Sequence, residues 1–76
     1  MNLTELKKGQ SATIVQIDAE QSLKDRLKSM GVCKGERLTV RGCSLAKQTM
    51  EIEIEGTLIA LRAVEAKKIE VEKNEA

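Results

Sequence analysis

The side chains best suited to chemistry in this 76-residue chain are two cysteines, Cys33 and Cys43, and three carboxylates, Glu51, Glu53 and Glu55. The chain has no histidine, so it lacks the commonest general base and the commonest metal ligand. The carboxylates alternate with apolar residues, which places them on the exposed face of a strand and not in a cleft. Such a row is more typical of a solubilising or edge-protecting strand face than of an acid–base pair. We therefore predict no enzymatic activity, no catalytic residues and no bound cofactor.

Metal binding is the other chemistry that two cysteines suggest. Nine residues lie between Cys33 and Cys43, whereas a structural zinc site has four ligands and usually includes two cysteines with two to four residues between them. The missing ligands would have to come from glutamates or from a second chain. We predict no metal site. An intracellular metal-binding or metal-sensing domain that uses Cys33, Cys43 and glutamates is the alternative function, and a metal titration separates the two.

The charges are unevenly distributed along the sequence. Residues 21–47 carry seven basic and two acidic side chains, whereas residues 48–76 carry four basic and seven acidic ones. Two solvated faces would explain this pattern. A docking module with two oppositely charged faces would explain it as well, because complementary charge steers the approach of a partner.

Composition also limits the class of partner and the location. The chain has no Phe, Trp or Tyr on which bases could stack and a net charge of only +1, so we predict no nucleic-acid partner. An RNA-binding small barrel is a third alternative, which a steep salt dependence of binding would reveal.

The sequence also predicts where the protein is located. The longest apolar run, 58–61, is far shorter than the roughly 20 residues that span a bilayer. Residues 1–9 contain no apolar signal segment. We predict a cytoplasmic protein without membrane insertion.

One short helix is predicted before Gly31. Ser22 is a favoured N-cap residue, with Asp25 three positions on as a variant of the capping box. Gly31 stands where a helix end requires a left-handed residue, which glycine adopts without steric cost. The apolar side chains that recur at helical spacing and should dock this helix are Leu23, Leu27 and Met30.

The remaining pattern predicts five strands, which are 12–17, 38–41, 50–55, 57–62 and 69–72. Gly56 between the third and fourth strands predicts a hairpin. Five short strands and one short helix fit a small barrel or a sandwich, and closure into a barrel hides the edges of strands this short. We therefore predict one domain over 1–76, all-β with a short inserted helix and folded as a small five-stranded barrel, with 73–76 as a frayed tail. The predicted core is Ile14, Leu23, Leu27, Met30, Leu38, Val40, Met50, Ile52, Ile54, Ile59, Leu61, Ile69 and Val71.

Three segments together resemble a known family. They are Leu3-x-x-Leu6-x-x-Gly9, Arg26-Leu27-x-x-Met30-Gly31-x-x-x-Gly35-x-x-Leu38-x-Val40 and Gly56-x-x-Ile59-Ala60-Leu61-Arg62-x-x-Glu65-Ala66. In order and spacing, the sequence over about residues 3–71 resembles the FeoA family of small cytosolic proteins of bacterial ferrous iron transport. One departure is the loop 42–48, where the family often has proline and this chain has none. We expect Leu45 in that loop to be tucked in.

The resemblance implies an SH3-like barrel with a helix inserted after the first strand. It also implies a partner, a FeoB-type membrane iron transporter whose cytoplasmic part carries a G-protein domain. The expected function is a non-catalytic accessory protein that binds this transporter and supports or regulates iron uptake. A related SH3-like domain ends iron-dependent repressors of the diphtheria toxin repressor class, but this chain has no winged-helix DNA-binding part.

The resemblance and the basic residues are both densest around the predicted helix and the loop after it. Lys24 and Lys28 are one helical turn apart and point away from the apolar face. Val32 and Lys34 lie in the glycine-flanked loop, where recognition residues are common. We predict that these four residues bind the partner. A merely solvated helix face is the competing interpretation.

Overall fold

The computed structural model describes residues 1–44, 46 and 48–74. A 3-10 helix over Leu3–Glu5 precedes the other elements, which are β1 (Ser11–Ile17), α1 (Gln21–Ser29), β2 (Arg37–Cys43), β3 (Thr49–Ile54), β4 (Thr57–Arg62), α2 (Ala63–Ala66) and β5 (Ile69–Lys73). The strands form one antiparallel sheet in the order β4-β3-β2-β1-β5. The five predicted strands and the helix inserted after the first of them are confirmed. The 3-10 helix and α2 were not predicted.

The β3–β4 hairpin turns over two residues, Glu55 and Gly56, which both have positive φ values of 49° and 81°. Two left-handed residues in a two-residue loop match the right-handed twist of the flanking strands. Ile54 and Thr57 face each other across this turn. The predicted hairpin is therefore confirmed, with Glu55 in the turn and not in the strand.

Two bulges bend the sheet. The pairing register shifts by one residue at Val15 in β1 and at Arg41 in β2. A bulge increases the local twist of the strand. Its extra residue also interrupts the alternation of inward and outward side chains, which resumes one position later. In β1 the inward side chains are consequently Ala12 and Ile14 before the bulge and the half-buried Ile17 after it, while Val15 and Gln16 are exposed.

The barrel is completed by helices. In the part of the chain that the structure describes, no ladder joins β4 to β5, which are the two ends of the strand order. Instead α2 packs on β3, β4 and the N-terminal 3-10 helix, and that 3-10 helix packs on β5. The free side of β5 is further covered at its middle, because the Val71 amide donates to the Met1 carbonyl at 2.9 Å and Asn2 pairs with Glu70.

One hydrophobic core lies inside this sheet. All but two of the predicted core side chains are buried, and the exceptions, Leu23 and Met30, are half-buried and packed against the core. Five further apolar residues are buried that were not predicted to be in the core, which are Leu3, Leu6, Ala12, Val32 and Ala66. Of the described helices, none combines the length and apolarity needed to cross a bilayer.

The predicted beginning of α1 is wrong. The amides of Leu23 and Lys24 already donate to the carbonyl of Glu20, so the helix begins before Ser22 and Glu20 is its N-cap. Ser22 is therefore an exposed first-turn residue, and the carboxylate of Asp25 accepts from the Gln21 side chain at 2.8 Å.

The predicted end of α1 is confirmed. The Gly31 amide donates to the Lys28 carbonyl at 3.0 Å and the Val32 amide donates to the Leu27 carbonyl at 2.8 Å. This pair of bonds is the Schellman arrangement, which needs a left-handed residue at its centre. Gly31 supplies it with a φ of 94°.

We expect Gly31→Ala to destabilise the fold by about 1 kcal/mol, because an L-residue is strained at positive φ. A Cβ at this position would contact nothing within 4 Å, so any loss of stability comes from backbone strain and not from a steric clash. Urea unfolding monitored by circular dichroism measures it. Gly42→Ala is the control, since Gly42 does not have positive φ and a Cβ there would meet Glu51 Oε1 at an ordinary 3.7 Å. Equal stability of the two variants would contradict the strain argument.

The predicted frayed tail is wrong for its first two residues. Lys73 belongs to β5, and the Asn74 amide donates to the Ser11 carbonyl at 3.0 Å. Thr13 Oγ1 also donates to Asn74 Oδ1 at 3.1 Å. The rest of the predicted tail, 75–76, and the expectation for Leu45 lie outside the described residues.

Candidate partner-binding groove

A surface groove of about 520 Å³ lies between α1, the end of β1 and the loop that joins α1 to β2. We call it the lysine groove, after the three exposed lysines that line it, Lys24, Lys28 and Lys34. It is lined further by Gln16, Ile17, Gln21, Asp25, Val32 and Cys33. Three of the four residues predicted to bind a partner are therefore exposed at one groove, and the fourth, Val32, is buried in its floor.

The packing of α1 fixes the positions of two of the lysines, Lys24 and Lys28. Leu27 is fully buried in the core, so the opposite side of the helix faces solvent. Lys24 and Lys28 lie on the flank between the buried face and that side, and both are exposed. Residues four positions apart are neighbours on a helix surface. Both ammonium groups consequently stand on the same wall of the groove.

The loop after α1 fixes the third lysine. The Glu36 amide donates to the Cys33 carbonyl at 3.1 Å, which closes a tight turn with Lys34 at its second position. Gly35 takes the third position of this turn with a φ of 94°. The turn is held against β1, because the Gly35 amide donates to the Ile14 carbonyl at 2.7 Å and the Ile14 amide donates to the Glu36 carbonyl at 2.9 Å.

The groove carries uncompensated positive charge. No salt bridge between described residues involves Lys24, Lys28 or Lys34. Asp25 is the single carboxylate among the lining residues, and its side chain accepts a hydrogen bond from Gln21. Charges closer together than the Debye length, which is about 8 Å at physiological salt, add to one another's potential. The groove is thus suited to an acidic surface or segment.

Val32 does not belong to the exposed surface. It lies in the loop between Gly31 and Gly35 as predicted, but its side chain is 0% exposed and forms part of the core beneath the groove. The expectation that Val32 contacts a partner is therefore wrong. The physical reason is the Schellman arrangement, which folds the second residue after the helix back toward the last turn, where an apolar side chain packs. Lys24, Lys28 and Lys34 are left as the exposed members of the predicted set.

The cysteines and carboxylates are dispersed. Cys33 is half-buried and Cys43 is exposed, and both thiols are free. Across residues 1–44, 46 and 48–74, the structure assembles no group of three or more Cys, Asp or Glu side chains that could hold a metal ion. In the predicted carboxylate row, Glu51 is exposed while Glu53 accepts from Arg41 Nε at 2.8 Å.

A buried carboxylate, which sequence analysis missed as such, ties the two helices together. Glu65 on α2 is 6% exposed. Its Oε2 lies 2.6 Å from Nη2 of Arg26 on α1, and its Oε1 accepts from the Arg62 amide at 3.0 Å. All three residues stand in the segments that carry the family resemblance. Their arrangement indicates a structural role, which the spacing along the sequence does not reveal.

Comparison with known proteins gives the family. The model of the FeoA domain matches residues 1–73. The chain is 44% identical over 71 residues to "Putative Fe(2+) transport protein A" of Campylobacter jejuni subsp. jejuni serotype O:2, an alignment that covers 93% of this chain and 96% of that protein. The chain therefore belongs to the FeoA family.

A second relative is much longer. The chain is 33% identical over 72 residues to an Fe(2+) transport protein A/Fe(2+) transporter FeoB fusion protein of Porphyromonas gingivalis. The alignment covers 95% of this chain and 8% of the fusion protein.

The fold comparison agrees with the family. The crystal structure of Stenotrophomonas maltophilia FeoA complexed with zinc, described as a procaryotic SH3 domain protein, superimposes with a TM-score of 0.79 at 28% identity. The match covers 95% of this chain and 89% of that one. The SH3-like fold that the resemblance implied is confirmed.

Proposed function

We propose that this protein is a non-enzymatic accessory protein of ferrous iron transport. It binds a FeoB-type transporter at the cytoplasmic G-domain region and supports or regulates iron uptake. The observation that carries this proposal is the fusion relative, in which a segment 33% identical to this chain is joined to a FeoB transporter. Covalent joining of two modules raises their effective concentration, which is useful when the modules act on each other.

We further propose that the lysine groove is the surface that docks the transporter. Its three lysines stand on two elements that are both fixed to the same core, so their spacing is preorganised. Uncompensated ammonium groups steer an acidic partner and set its orientation. The groove's volume of about 520 Å³ leaves room for a side chain or a short segment of that partner.

The combined variant Lys24→Glu, Lys28→Glu tests this assignment. Because both side chains are exposed, we expect the fold and its stability to be retained. Reversal of two steering charges should lower the association rate with the purified cytoplasmic region of a FeoB-type transporter by about tenfold or more at low ionic strength. The rate of the variant should also depend less on salt. Surface plasmon resonance at several salt concentrations measures both effects.

The matched control is Lys7→Glu, Lys8→Glu, which reverses two exposed charges that do not line the groove. We expect this control to bind like the wild type. An equal loss in both double variants would indicate a general effect of net charge and would reject the groove. No binding by the wild type would reject the proposed partner itself. Iron uptake by cells that carry each variant gives the functional readout.

A further inference from the structure

The outer side of β4 is an edge of the sheet, and no strand of the described residues pairs with it. Ile54 and Thr57 flank a two-residue turn, so this pair exchanges both of its backbone hydrogen bonds, and every second pair along the ladder does the same. The backbone groups of Thr57, Ile59 and Leu61 therefore point to β3, and those of Leu58, Ala60 and Arg62 point away from it.

Two residues of that edge are free of backbone partners. The Arg62 amide is already used, since it donates to Glu65 Oε1. Within the described residues, no hydrogen bond outside the β3–β4 ladder involves the amide or carbonyl of Leu58 or Ala60. Unpaired edge groups of this kind are a template for another strand.

The two edges of the sheet differ in protection. The β5 edge is covered by Met1 and Asn2. The β4 sequence, Thr-Leu-Ile-Ala-Leu-Arg, has no proline and no lysine, and its register is free of bulges. Leu58 is 60% exposed on its outer face and Ala60 is exposed beside it. Apart from the charged Arg62 at its end, this strand thus lacks the proline, lysine and bulge that commonly keep an edge from pairing.

We propose that β4 pairs antiparallel with β4 of a second copy of this chain, so that two sheets join into one. The two-fold axis passes beside Ile59, and Leu58 lies opposite Ala60 of the second copy. In this register the backbone amide and carbonyl of Leu58 bond to those of Ala60 in the second copy. The symmetry repeats this pair, so four backbone hydrogen bonds form between the two copies. A register in which Ala60 lies opposite Ala60 of the second copy would instead place Leu58 opposite Arg62. The Arg62 amide already donates to Glu65 Oε1 and could not bond to the second copy.

Side-chain charge favours the same register and a second copy as the partner. Arg62 then lies opposite Gly56 of the second copy and next to its Glu55, the exposed carboxylate in the turn. Among the described residues, neither Arg62 nor Glu55 takes part in a salt bridge. The symmetry generates this Arg62–Glu55 contact twice, and the small Ala60 side chain leaves space for Leu58 of the other copy.

A strand-to-strand contact buries less area than the roughly 1,200–2,000 Å² of standard interfaces, so we expect a weak dimer. Sedimentation equilibrium of the 76-residue chain, from low micromolar to millimolar concentration, should show the mean mass rise from 8.4 kDa toward twice that value. Exchange of the Leu58 and Ala60 amides with solvent should slow as the concentration rises. One monomeric mass at every concentration would overturn the proposal.

Three variants identify the surface. Ala60→Pro removes an amide that the β3–β4 ladder does not use, so it should abolish association and leave the monomer folded. Arg62→Glu and Glu55→Arg should each be monomeric when alone. In either variant, position 62 of one copy and position 55 of the other carry the same charge and repel each other. Mixed in equal amounts they should form a heterodimer with the wild-type affinity or close to it, since both charge pairs are then complementary.

The mixing experiment separates this edge from any other interface. Lys8→Glu, an exposed charge reversal away from β4, should associate like the wild type. Association of Ala60→Pro at the wild-type level would place the interface elsewhere and overturn the proposal. Failure of the mixed charge variants to associate, with each variant shown by circular dichroism to be folded, would overturn the register.

Discussion

We expect Ile52→Ala to reduce the free energy of unfolding by about 2–5 kcal/mol, the typical loss for removing most of a buried aliphatic side chain. Ile52 is 0% exposed and lies on β3, an interior strand of the sheet, opposite Val40 on β2 and Ile59 on β4. All three side chains are buried, so the substitution would leave a cavity bordered by three strands. Because these strands are hydrogen bonded to one another, they cannot move in to fill it. A domain of this size has a total stability of only about 5–15 kcal/mol.

Urea denaturation monitored by circular dichroism measures this loss as a lower midpoint at an unchanged slope. Val64→Ala is the control, because Val64 is 63% exposed and substitutions at such positions usually stay within about 0.5 kcal/mol. A midpoint for Ile52→Ala that equals the midpoint for Val64→Ala would mean that the β3 register described above is wrong.

We expect Glu65→Ala to destabilise the fold by about 1–3 kcal/mol, the cost of leaving a part-buried donor without its partner. The variant removes the acceptor of the Arg62 amide together with the carboxylate that lies 2.6 Å from Arg26. The side chain of Arg26 is 58% exposed, so water screens the ion pair and most of the loss comes from the missing hydrogen bond. Thermal and urea unfolding both report it.

Glu65→Gln separates the two contributions. It keeps an oxygen that can accept from the Arg62 amide but removes the charge, so we expect a smaller loss than for Glu65→Ala. A double-mutant cycle with Arg26→Gln then gives the coupling energy of the pair. Equal losses for Glu65→Gln and Glu65→Ala would show that the charge, and not the hydrogen bond, makes the contribution.

The strands were predictable because their signals are local. The hairpin over β3 and β4 follows from strict alternation around a Glu55-Gly56 turn, and the prediction for 57–62 coincides with the observed strand. Gly31 was predictable for the same reason, since the end of an amphipathic pattern next to glycine specifies a left-handed cap.

The errors arise where tertiary contacts decide. Ser22 is a better N-cap residue than Glu20, yet the packing of Leu23 and Leu27 fixes where the helix begins. Helix α2 has four residues, too few to show any periodicity, so the burial of Glu65 had no signal in the sequence. Val32 is instructive because its burial follows from the same glycine cap that the sequence did predict.

The candidate site was predictable in composition but not in geometry. Lys24 and Lys28 share a helix face by spacing alone. Lys34 joins them because the turn that carries it is hydrogen bonded to Ile14 on β1, a contact between residues distant in sequence. The free edge of β4 likewise appears only once the strand order is known.

The pairing of β1 with β5 constrains the order in which the protein can fold. Ile17 pairs with Ile69, so β1 has both of its neighbouring strands only after residue 69 and the rest of β5 have been synthesised. The β2–β3–β4 meander closes through short loops and pays little loop-closure entropy. We therefore expect this meander to form the folding nucleus, with β1 and β5 joining late. A ribosome that stalls before residue 69 would hold a meander whose apolar face is still uncovered, and the nascent chain would be open to proteases until β5 emerges.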